Sequence, residues 1–99
     1  MASAEFQQYV EQLEEVFERA VVTGTDDELF ASGYLRGHFD LVVAQLELQE
    51  LAQTTAILPA VRASVEHAKH ELAPADMVHI QAMLAQLEAV AEPTAAAVQ

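Results

Sequence analysis

From Phe6 to Val21 apolar residues return at steps of three and four, and this pattern commits the start of the chain to a helix with one buried side. Phe6, Tyr9, Val10, Leu13, Val16, Phe17, Ala20 and Val21 fall on one face, while Gln7, Gln8, Glu11, Gln12, Glu14, Glu15, Glu18 and Arg19 fill the other. Ser3 is placed to cap this helix, and Gly24 fits a left-handed residue that ends it. A helix of this kind needs a second apolar surface to pack on. No strand-like alternation long enough to compete occurs anywhere, and no internal repeat is visible.

The stretch TDDELFASGYLRGHFDL, residues 25–41, is where the chain concentrates its unusual residues. Thr25 and Glu28 have capping-box spacing, and Asp26 and Asp27 add negative charge where a new helix exposes its free amide hydrogens. The second helix is therefore expected to start here and run to about Glu50. Phe30, Tyr34, Gly37, Leu41, Ala44 and Leu48 project to one apolar face, which Ala31, Leu35, Phe39, Val42 and Leu46 widen beyond what one neighbour requires. Only Ser32, Arg36, Asp40, Glu47 and Glu50 form a clearly polar stripe. The spacing of Gly33 and Gly37 predicts a packing notch where two helix backbones approach closely, and the alternative is an opened turn that presents Arg36 and His38 to a ligand.

The pattern loses definition around Leu51 to Thr54. Thr55 is then placed to cap a third helix with Pro59 in its first turn, and Ile57, Val61, Ser64, Val65, Ala68 and Leu72 mark its inner face. Pro74 and Asp76 read as the restart that opens a fourth helix, which buries Met77, Ile80, Met83, Leu84, Leu87, Val90 and Ala91. Pro93 is expected to end it and leave a frayed tail. Four amphipathic helices with short connections predict an all-α fold, an antiparallel four-helix bundle. Three long helices with a shorter one across one end is the second choice. The expected organisation is one helical domain over residues 1–92 and a flexible tail over 93–99.

Composition narrows the functional classes. Sixteen acidic residues against four basic ones give a net charge of -12, which repels phosphate backbones and anionic headgroups, so neither nucleic acid nor membrane is expected as a partner. The absence of cysteine removes disulfides, thiolate metal sites and thiol catalysis. No basic leader and no run of eighteen apolar residues occurs, and the expected location is the cytoplasm.

The chemistry-bearing residues do not assemble into a recognisable catalytic pattern. His67, His70 and His79, with Glu66, Glu71 and Asp76, are the one cluster with ligand spacing, but His70 projects away from the inner face and no Glu-x-x-His motif recurs on two helices. Solvated histidines are the favoured reading, with no metal and no cofactor expected. The glutamates of the first helix occupy its outer face, where nothing separates their pKa values for acid and base work. Ser32-Gly33 lacks the strand and paired glycines of a nucleophile elbow. A non-enzymatic protein is expected.

Arg36 carries more information. It is one of four cations in an acidic chain and sits beside the glycines with Asp40 one turn away. It can form a structural ion pair with Asp40 or with a first-helix glutamate. It can equally serve as an anchor for an acidic group on a partner, since its planar fork of donors suits such recognition.

Residues Asp26 to His38, DDELFASGYLRGH, resemble the signature of the YfcL family of small bacterial proteins. The string Ser32-Gly33-Tyr34-Leu35-Arg36-Gly37-His38 carries the likeness, and outside it the similarity is one of pattern. The resemblance implies a cytoplasmic helical domain and supplies no catalytic residues. Gly33, Tyr34, Arg36, Gly37, His38 and Asp40 are accordingly the candidate binding residues. The expected function is a protein-interaction module working through the second helix and its Arg36 edge, on an unknown protein partner or as a homodimer. A small-ligand or metal-binding bundle is the alternative.

Overall fold

The computed structural model describes residues 3–49 and 53–98, with side chains described as far as residue 91. Four helices make up the fold: α1 (Ala4–Thr23), α2 (Asp26–Leu48), α3 (Thr54–Ala68) and α4 (Pro74–Val98), with a single 3-10 turn at Lys69–Glu71 after α3. Helix packs on helix throughout, and no strand occurs among the described residues. The expected all-α bundle is what the chain forms.

The helix starts follow from local chemistry. Ser3 Oγ accepts from the Phe6 amide, as its position before the periodic run predicts. Thr25 Oγ1 accepts from the Glu28 amide at 3.2 Å while Glu28 Oε1 accepts from the Thr25 amide at 2.9 Å, a complete capping box worth about 1 kcal/mol. Pro74 is the first residue of α4, and Asp76 reaches back to the Ala73 amide.

Four boundary expectations are corrected. Gly24 does end α1, but with φ -78° and ψ 159° it is extended rather than left-handed. Its glycine is needed for space, because a Cβ there would run into the Ala20 carbonyl oxygen, which accepts the Gly24 amide hydrogen at 2.9 Å. The residue that caps α3 is Gln53, not Thr55, and it does so without a side-chain bond. Pro59 consequently lies inside α3, beyond the first turn, where it removes a backbone hydrogen bond instead of occupying a position that has none to lose. Pro93 does not stop α4, whose backbone stays helical to Val98. Glu50 and Leu51 lie outside the described residues.

The core joins Phe6, Leu13, Val16 and Phe17 of α1 to Leu35, Phe39 and Val42 of α2, Ile57, Val61 and Val65 of α3, and Ile80, Met83, Leu84 and Leu87 of α4. Phe17 and Phe39 meet edge to face at 5.4 Å between ring centres. On α1 the predicted face is the buried one, except that Val21 at its end is exposed. On α3 the core also takes Leu58. α2 touches each of the other three helices, most extensively α4, whereas the consecutive pair α3 and α4 makes the sparsest contact. Arg62 of α3 bridges that thin junction by grasping both carboxylate oxygens of Glu88 at 2.7 Å.

α2 is oriented differently from the expectation. The residues that looked like a widening of its apolar face, Ala31, Leu35, Phe39 and Val42, are the buried ones. Of the face expected to be buried, Phe30 is 44% exposed, Leu41 56% and Leu48 84%. Ser32, assigned to the polar stripe, is 2% exposed. Both sides of the helix are apolar enough to pack, so periodicity alone could not choose between them.

Candidate functional site

Gly33 and Gly37 lie on the side of α2 away from the core, and both are exposed. A Cβ built on either would meet nothing within 4 Å, so among the described residues the predicted notch is not filled by another helix. With Phe30, Leu41, Ala44 and Leu48 at the intervening helical spacings, they form a continuous apolar, small-residue stripe facing outward.

The other candidate residues border this stripe. On one side Arg36 NH2 lies 3.5 Å from Glu14 Oε2 of α1, with the two side chains 39% and 29% exposed. Of the two ion pairs the sequence allowed, the one to the first helix is formed. It is at the outer limit of hydrogen-bond length, and in contact with water it holds the helices together only weakly. Asp40 is exposed on the same side and makes no ion pair among the described residues.

On the other side His38 Nδ1 is 2.6 Å from Ser64 Oγ of α3, and the Tyr34 ring sits 4.8 Å from the His38 ring. Phe30 stacks loosely on Tyr34 at 6.3 Å. The Tyr34 hydroxyl oxygen is buried without a hydrogen-bond partner among the described residues. Burial first, and the nearby Glu71 carboxylate second, push the Tyr34 hydroxyl above the usual tyrosine pKa of 10.0.

The six candidate residues thus belong to one continuous surface, but they do not converge on a pocket. Gly33 and Gly37 form its middle, Arg36 and Asp40 one margin, and Tyr34 and His38 the other. Sequence reasoning placed Ser64 on the inner face of α3 without pairing it to His38, because the two are far apart in the chain and only the α2–α3 packing joins them. It also missed the outward direction of Phe30, Leu41 and Leu48.

Other parts of the molecule offer less. No three of the described His, Asp and Glu residues come together as a metal site. His79 instead lies 3.5 Å from Asp27 of α2. A cleft of about 360 Å³ opens where α1, α2 and α4 meet, lined by Val16, Arg19, Gly24, Glu28 and Gln86 among others, away from the stripe. No helix among the described residues is long and apolar enough to cross a membrane.

Comparison with known proteins agrees with the resemblance carried by Asp26–His38. The sequence model of the YfcL protein family matches residues 7–89, which takes in the motif and most of all four helices. A relative from Escherichia coli (strain K12), "Uncharacterized protein YfcL", is 44% identical over 61 residues, covering 60% of this chain and 66% of that protein. The aligned part therefore spans just under two thirds of the relative's length. No solved structure matches the chain. With the family model covering far more than half of its length, the chain belongs to the YfcL family.

Proposed function

We propose that this protein is a non-enzymatic interaction module of the cytoplasm whose binding surface is the outward stripe of α2 together with its Arg36 margin. The single observation that carries this reading is the exposure of Phe30, Leu41 and Leu48 on a helix that already buries its opposite side. A helix apolar on both sides ordinarily packs on both sides. Open space over Gly33 and Gly37 lets a partner backbone come close, and Arg36 at the edge supplies a donor fork to an acidic or carbonyl group of that partner.

The rival, a small-ligand bundle using Tyr34, Arg36 and His38, needs a concave polar site beside the glycines. Gly33 and Gly37 instead sit exposed on the outward side of the helix, and Arg36 and His38 diverge toward α1 and α3 respectively.

The test is affinity capture from the native cytoplasm with wild type, Leu41→Glu and Arg36→Ala. Proteins retained by wild type, including further copies of the chain, are lost with Leu41→Glu and reduced with Arg36→Ala. An identical set retained by all three, with folding unchanged, rules out this surface.

A further inference from the structure

The outward stripe of α2 has a property that a surface made for an unrelated partner does not need: it is complementary to itself. Along the helix the exposed positions run Phe30, Gly33, Gly37, Leu41, Ala44 and Leu48, with the small residues between the large ones. If two such helices meet face to face and antiparallel, with a two-fold axis at Gly37, a residue a given number of positions before Gly37 stands opposite the residue the same number after it in the second copy. Gly37 then faces Gly37. Leu41 of each copy falls opposite Gly33 of the other, and Phe30 opposite Ala44. Phe30 and Leu41 each meet a small residue, while Leu48 falls at the end of the contact opposite Asp26 of the other copy, and the space into which Leu41 would enter is the one where nothing lies within 4 Å of a Cβ on Gly33.

Charge makes the same choice. A two-fold axis of this kind brings like margin to like margin, so the side bearing Arg36 and Asp40 adjoins the corresponding side of the second copy. In this register Arg36 and Asp40 of the partner subunit differ by two residues along the axis, about 3 Å at the rise of an α-helix, within reach of an arginine side chain. The two Arg36 side chains come equally close to each other along the axis, and the two Asp40 carboxylates offset that repulsion in two reciprocal Arg36–Asp40 pairs. They use the carboxylate that makes no ion pair among the described residues and an arginine held only loosely by Glu14. For a chain of net charge -12, association with a copy of itself needs such local compensation, and the stripe between the margins carries no charge from Phe30 to Leu48.

We infer that the occupant of the α2 face is a second copy of this chain, in an antiparallel α2–α2 dimer with Gly37 at the two-fold axis and Arg36 paired reciprocally with Asp40. This rests on the reading of the stripe as a binding surface and specifies its partner.

The experiment is sedimentation equilibrium on the full chain, with circular dichroism to confirm folding. Wild type is a dimer. Arg36→Asp and Asp40→Arg each raise the dissociation constant about ten-fold or more, and the double charge swap restores most of it. Gly37→Ile, whose Cβ meets nothing within 4 Å in the single chain, stays folded and becomes a monomer. A wild type that is monomeric overturns the inference. So does a dimer that the double swap fails to rescue, or one indifferent to Gly37→Ile. If wild type is monomeric yet Leu41→Glu still abolishes capture of another protein, only self-association fails. If capture too is indifferent to Leu41→Glu, the stripe itself is not a binding surface.

Discussion

Ser32 Oγ donates a hydrogen bond to the backbone carbonyl of Phe17, 3.3 Å away across the α1–α2 interface, from a position that is 2% exposed. A serine beside two exposed glycines is thereby the marker of which way α2 faces. The bond is long, and the Phe17 carbonyl is inside a helix. Ser32→Ala should cost no more than about 1 kcal/mol, whereas Ser32→Asp places a carboxylate in the core and should cost several. Chemical denaturation distinguishes the two. A cost below about 0.5 kcal/mol for Ser32→Asp would mean the position is at the surface.

The glycines should respond in opposite ways. At Gly33 and Gly37 an added methyl group meets open space within a regular helix, so each change to alanine should stabilise the chain by about 0.5 to 1 kcal/mol. At Gly24 the same change drives a Cβ against the Ala20 carbonyl and should destabilise it. Thermal melting of the three single variants checks the signs, provided the chains are dilute enough that self-association contributes nothing.

Arg36→Ala should cost only a few tenths of a kcal/mol, because its pair with Glu14 is 3.5 Å long and partly in water. A large loss of binding with so small a loss of stability separates recognition from folding. Should the variant unfold under native conditions, Arg36 would be a structural residue.

Alkaline titration tests the Tyr34 environment. Its hydroxyl is raised above 10.0 in the folded chain, and burial raises that of Tyr9 as well. The unfolded chain therefore loses these protons first as pH climbs, so stability is unaffected below about pH 10 and falls above it. Tyr34→Phe should remove part of that fall. Since the hydroxyl oxygen is buried without a partner among the described residues, the variant should also be as stable as wild type, or more so, at neutral pH.

What was legible in the sequence was what is decided locally. Ser3, the Thr25–Glu28 box and Pro74 each act within one turn, and each was readable from spacing. The face of α1 was readable because its other side is charged. α2 was not, because Leu35, Phe39 and Val42 on one side and Phe30, Leu41 and Leu48 on the other are equally apolar, and only the competing demands of three neighbouring helices choose between them. Gly24 was recognised as a helix end, though the reason is closeness to Ala20 and not backbone handedness. Gln53 escaped notice because it caps α3 without a side-chain bond. The six candidate positions lie on one outward side of α2 and its margins, and the glycines expected to be a notch for a second backbone have no helix over them among the described residues.

The proposed interface stands or falls with the orientation of α2, and thiol labelling of two neighbouring positions reads that orientation. The chain has no cysteine, so Ser32→Cys and Gly33→Cys each introduce a single reactive group. In dilute solution, where mass action disfavours association, Gly33→Cys should react with a thiol reagent nearly as fast as the denatured chain, and Ser32→Cys should be slower by a factor of about a hundred or more, as expected of a thiol reached only through opening of the fold. The reverse order, a protected Gly33→Cys and a reactive Ser32→Cys, would place the glycines in the core and contradict the account.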